Sequence, residues 1–152
     1  MSSCFFIGHR DAPESLRPKV LAAAEGLILR QGVRDFYVGS RGSFDRMAAG
    51  AVLELMEEYP QVRLYRVLAY LPAKGAEEVP PGFTGTVFPQ GLESAPRRFA
   101  IVRANRVMVD RCDYLIAYAP FETGNARRVL DYAWRRQGRG LIQIIELQEI
   151  DQ

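Results

Sequence analysis

The chain of 152 residues has two lysines, one histidine, two cysteines and one tryptophan. Each shortage excludes something. Cys4 and Cys112 stand far apart and in no metal-ligand spacing, so no disulfide framework and no metal site is expected. Both read as reduced packing thiols of a cytoplasmic protein. No apolar run approaches the roughly 20 residues that span a bilayer, and no membrane segment is expected. A strand-like run begins by Cys4 with no basic region before it, which speaks against a signal peptide. The formal net charge of +2 gives no electrostatic footprint for nucleic acid. With Lys19 and Lys74 the only lysines, the cations are nearly all arginine, a bias of composition more than of phosphate recognition. Gly-x-Ser-x-Gly and Gly-x-x-x-x-Gly-Lys are both missing, which argues against a nucleophile elbow and a Walker loop.

What is there is ordinary globular material. Hydrophobic content of 48% and charged content of 25% suit one domain with a sizeable core. The run Cys4-Phe-Phe-Ile7, ended by Gly8-His9-Arg10, reads as a first strand. Leu16, Val20, Ala24, Leu27 and Ile28 recur at helical spacing up to Gly32. Asp35 to Val38 reads as the second strand, and the stripe from Phe44 to Tyr59 as a helix over 43–60. Residues 62–71 make a third strand. The segment 72–96 holds five prolines and four glycines and reads as an irregular loop, of a length that usually carries function or disorder. A helix over 97–111, a strand over 114–119, a helix opening at Thr123 and ending at Gly138, and a fifth strand over 141–147 complete the chain. Strands alternating with helices imply right-handed crossovers and a mainly parallel sheet. The expected fold is therefore a single-domain, Rossmann-like three-layer sandwich with five strands.

In such sheets ligands bind beyond the carboxyl ends of the strands, where the strand order reverses. Gly8-His9-Arg10, the turn Gly39-Ser40-Arg41-Gly42-Ser43-Phe44-Asp45, the loop 72–96 and Glu122-Thr123-Gly124-Asn125 all fall at that edge. The second and the last of these are tight strand-to-helix turns. Each leaves backbone N–H groups unpaired at the positive end of a helix, a place for an anion. On the helix over 97–111, Ile101, Val102, Met108, Val109 and Cys112 share one arc with Arg98 and Asn105. An arginine and an asparagine on a core-facing arc need partners, and a crevice ligand would supply them. Arg98 snorkelling outward and Asn105 capping a loop is the structural alternative. His9 could serve as a base toward Ser40 or Ser43 with Asp45 orienting it, although Ser43 and Asp45 also suit a plain helix start.

These segments together resemble the SLOG superfamily of Rossmann-like proteins, and within it the YpsA-like branch, related to DNA-processing protein A and the "lonely guy" phosphoribohydrolases. The matching pieces are Phe6-Ile7-Gly8-His9-Arg10, the 39–45 turn, Arg103-Ala-Asn105-Arg106 with Met108-Val-Asp110, and Thr123-Gly124-Asn125. The resemblance implies a pocket for a nucleotide or an ADP-ribose-type ligand. The phosphoribohydrolases carry Pro-Gly-Gly-x-Gly-Thr-x-x-Glu at the fourth turn, with the glutamate catalytic. Here the turn reads Pro120-Phe-Glu-Thr-Gly-Asn-Ala-Arg-Arg-Val-Leu, with an apolar residue in the glutamate's place. The expectation is thus a protein that binds or senses a nucleotide-type small molecule. The site would draw on Gly8, His9, Arg10, Gly39, Ser40, Arg41, Gly42, Ser43, Asp45, Arg98, Asn105, Thr123, Gly124 and Asn125. Two alternatives stand beside it. One is a hydrolase of an N-glycosidic or phosphate bond, with His9, Glu122 or Asp45 as acid–base groups. The other is a protein-interaction module with a vestigial pocket. A homo-oligomer is left open.

Overall fold

A computed structural model describes residues 2–69, 79–89 and 96–149, with the side chains of Arg97 and Arg98 outside the description. The elements run β1 (Ser3–Gly8), a 3-10 turn (Glu14–Leu16), α1 (Arg17–Gln31), β2 (Asp35–Val38), α2 (Gly42–Glu58), β3 (Arg63–Val67), β4 (Gly85–Val87), α3 (Arg97–Arg111), β5 (Tyr114–Tyr118), α4 (Asn125–Gln137) and β6 (Gln143–Glu146). The sheet has the order β4-β3-β2-β1-β5-β6, and every pairing is parallel. The fold is α/β with a parallel sheet, as Rossmann-like proteins have. None of the described helices is long and apolar enough to cross a membrane.

The sheet has six strands where five were expected. The additional one, Gly85-Thr86-Val87, lies inside the segment read as irregular loop. Three residues between prolines carry no periodicity. Their strand character comes from pairing with Tyr65, Arg66 and Val67, and Thr84 fixes the register locally. Its N–H donates to the Leu64 carbonyl (2.7 Å), and its hydroxyl oxygen accepts the Leu64 N–H (3.0 Å). Residues 72–78 and 90–95 of that loop, and residues 70 and 71 of the strand read over 62–71, lie outside the described residues.

Why the strands sit where they do is visible in β1. Side chains alternate across a sheet, and here both sets are apolar. Cys4 and Phe6 join one core with Val20, Ala24, Phe44 and Ala48 of α1 and α2. Phe5 and Ile7 join another with Met108, Val109, Val129 and Leu130 of α3 and α4. A strand buried through both sets of side chains belongs in the middle of a parallel sheet, with β2 on one side and β5 on the other. Between β1 and β5 the order reverses, so the crevice opens there. Both cysteines are free and buried, and burial pushes the Cys112 thiol up to about 12.

One contact sets how closely α2 lies on β1. The Phe44 ring packs on the Cα of Gly8, so closely that a Cβ at that position would stand 2.2 Å from Cγ of the ring. Phe44 is fully buried and stacks on Tyr118 at 6.2 Å between centroids. We expect Gly8→Ala to cost about 2–3 kcal/mol by overpacking, read as a lower urea midpoint. Adding Phe44→Leu should recover part of that loss, a positive coupling of about 1 kcal/mol in the double-mutant cycle. Equal, additive losses would mean that the ring is not what excludes the methyl.

Candidate functional site

A cavity of about 750 Å³ opens at the carboxyl edge of the sheet, within the range of small-molecule sites. Its wall includes Gly8, His9, Arg10, Gly39, Ser40, Arg41, Gly42, Asp45, Asn105, Gly124 and Asn125. Four separated segments of the chain thus converge on one space. Ser43, Glu122 and Thr123 are not part of that wall, and the Arg98 side chain lies outside the described residues. The sequence reading passed over the apolar half of the cavity: Phe5, Ile7, Val67, Ala69, Ile101 and Ala104. Val67 and Ala69 stand at and just past the end of β3, Phe5 and Ile7 are in β1, and Ile101 and Ala104 neighbour Asn105 on α3.

The turn before α2 differs from a free anion cradle. Ser43 N–H donates to the Arg10 carbonyl at 2.8 Å. The Ser43 hydroxyl is shared between the carbonyls of Arg10 (2.9 Å) and Ala12 (3.0 Å). Arg41 N–H donates to Asp45 Oδ2 at 3.0 Å. The N–H groups of Arg41 and Ser43 and the Ser43 hydroxyl are therefore spent inside the protein, while those of Gly42 and Phe44 keep no acceptor among the described residues. Gly42 serves the same stitching: its φ is 85°, and a Cβ would meet the Arg10 Cα at 2.6 Å. Its freedom is needed by the chain itself.

The turn before α4 is different. Gly124 is the N-cap, and no side chain caps the helix. The ladder starts with Arg128 N–H on the Gly124 carbonyl at 3.1 Å, which leaves the N–H groups at 125–127 without an acceptor within the helix. Asn125 and Ala126 line the cavity. The helices α3 and α4 together carry nine arginines and two aspartates. Arginines thus outnumber acids on these two helices, which a near-neutral net charge conceals.

Between the two turns lies Asn105, 9% exposed and the one buried polar residue among the described residues. Its amide makes no hydrogen bond among them, and its N and O atoms are not among the fully buried ones left without a partner: they reach the space that Asn105 lines.

His9 extends the β1 ladder, its N–H donating to the Tyr118 carbonyl at 3.0 Å. Its Nδ1 accepts the Asp11 N–H at 3.1 Å, so in the neutral ring the proton sits on Nε2. The ring meets Phe121 edge-on at 4.7 Å. No hydrogen bond joins it to Ser40, Ser43 or Asp45, so the base–serine–aspartate arrangement does not form. Glu122 is exposed.

Asp45 is the tuned group. Burial raises its carboxyl to about 7, against the lowering effect of the Arg41 N–H and of Arg46. A carboxyl raised on folding holds its proton in the native state while the unfolded chain has already lost it. The protein is therefore expected to lose stability as pH rises from about 4 to about 7. Asp45→Asn keeps an acceptor for Arg41 N–H and removes the titration. Its stability relative to wild type should climb by about 1 kcal/mol per pH unit over that window and level off above it. Urea midpoints across a pH series measure this, and a constant difference would show that burial does not perturb the carboxyl.

No model of a known protein family matches the chain, and no curated protein matches it.

Proposed function

We propose that the protein, a three-layer Rossmann-like sandwich of SLOG type, binds a nucleotide or nucleotide-derived ligand in this cavity. The observation that carries the reading is Asn105. The residue is nine-tenths buried while its amide reaches the cavity and bonds to no described residue, so it is placed to pair with a ligand that offers an adjacent donor and acceptor, as the edges of nucleobases do. The apolar side chains around it suit a flat heterocycle. The open N-terminus of α4, in the field of the arginines, suits a phosphate. The site therefore asks for a bipartite molecule, apolar and amide-complementary at one end and anionic at the other.

Thermal stabilisation by a panel of mono- and dinucleotides and ADP-ribose tests the reading, with Asn105→Leu as the control. Leu is close to Asn in size and removes the amide. The variant should keep a melting temperature close to that of wild type without ligand, yet show no rise in melting temperature with ligand. If nothing in the panel at millimolar concentration stabilises the wild type, nucleotide binding is the wrong function.

Binding rather than turnover is the better reading because the acid–base candidates are few. His9 lines the wall but shares no hydrogen bond with Asp45, Glu122 is exposed outside the wall, and Asp45 alone combines a perturbed carboxyl with a place in the cavity. Hydrolysis usually needs a second group to activate water or protonate the leaving group. Chromatography of nucleotides held with excess protein should show no free base or phosphate. Release that vanishes in Asp45→Asn while binding survives would replace a binding protein with a hydrolase.

A further inference from the structure

The cavity's two ends offer opposite chemistry. At α4 the free groups are donors. At α2 the donors of Arg41 and Ser43 are used, and what faces the space is a carboxyl. Asp45 Oδ2 holds the Arg41 N–H, while Oδ1 has no hydrogen-bond partner among the described residues. Burial raises this carboxyl to about 7, so near neutral pH it is part carboxylate, which accepts, and part acid, which also donates, and a phosphate would meet like charge in the ionised part. A ligand cation is disfavoured by Arg10 and Arg41 in the same wall and by the arginine-rich helices. A neutral hydroxyl, donor and acceptor at once, suits both forms, and a carboxylate with free lone pairs accepts two neighbouring ones well, as acidic residues do with ribose in dinucleotide-binding folds.

We propose that Asp45 binds the vicinal hydroxyls of a ribose, so that the sugar rests on the α2 turn while the phosphate goes to α4. Asp45 then sets the ligand class as ribonucleotide-type. This rests on the nucleotide reading above and adds an orientation to it: the α2 turn, which a glycine-rich strand-to-helix sequence would assign to phosphate, takes the sugar instead.

Calorimetry with the four ribonucleoside 5′-monophosphates and their 2′,3′-dideoxy counterparts tests it. Wild type should bind its best ribonucleotide at least about tenfold more tightly than the dideoxy form, the scale of one or two hydrogen bonds to a charged acceptor. Asp45→Asn keeps the bond from Arg41 but presents an amide N–H2 where the hydroxyls need an acceptor. It should bind the two forms equally, with the dideoxy affinity at or above its wild-type value. Asp45→Ala provides a second variant should the first fold poorly, and the same loss of preference is expected. A wild type that binds both forms equally overturns the assignment while leaving nucleotide binding intact, as does a preference that persists in the variants. Failure of all eight compounds to bind removes the nucleotide reading itself and this inference with it.

Discussion

The site depends on one set of contacts, the stitching of the α2 N-terminus to the loop after β1. The Arg10 carbonyl receives both the N–H and the hydroxyl of Ser43, and the Arg10 backbone closes on Gly42. These bonds fix the ends of β1 and β2 relative to each other and so shape one rim of the cavity. They also decide its chemistry. A helix start that spends part of its donors on neighbouring carbonyls has fewer left for an anion, and Asp45 takes a further N–H from the turn. The same local sequence could have formed a phosphate loop had the chain after β1 lain farther away. What separates the two outcomes is a tertiary contact between residues more than thirty positions apart.

That is also the measure of what the sequence discloses. The alternating elements, the parallel sheet and the edge where a ligand would bind follow from periodicity and turn residues, because those are local properties. Asp35–Val38 and Arg97–Arg111 are bounded as their patterns indicate. Asn105 was legible from its place on an apolar arc. The β4 strand was not, since three residues become a strand only when β3 is beside them. The direction of the Ser43 bonds was equally hidden, because a serine at a helix start reads the same whether it faces a ligand or a carbonyl. The perturbed carboxyl of Asp45 depends on burial, which no spacing in the sequence specifies.

The cavity illustrates how stability and ligand recognition pull against each other. Asp45, whose charged form burial disfavours, and Asn105, whose amide bonds to no described residue, both leave interactions unmade in the empty fold. The two cores supply the surplus that tolerates them: Phe5, Phe6, Phe36 and Phe44 are all fully buried. Such groups are economical only where a ligand completes them.

The short strand β4 has a different consequence, for behaviour in concentrated solution. An outermost strand of a parallel sheet exposes a row of unpaired backbone groups that can template association with other molecules. β4 spans only Gly85–Val87, with Pro80, Pro81 and Pro89 on either side and a glycine at its start. It occupies the edge of β3, whose Leu64 and Val67 are buried, and it offers neighbours too short a run to extend. A chain stripped of this segment would present β3 itself, with its alternating Leu64, Tyr65 and Val67, as a sticky border. The strand that periodicity could not reveal thus works as a guard against intermolecular β pairing.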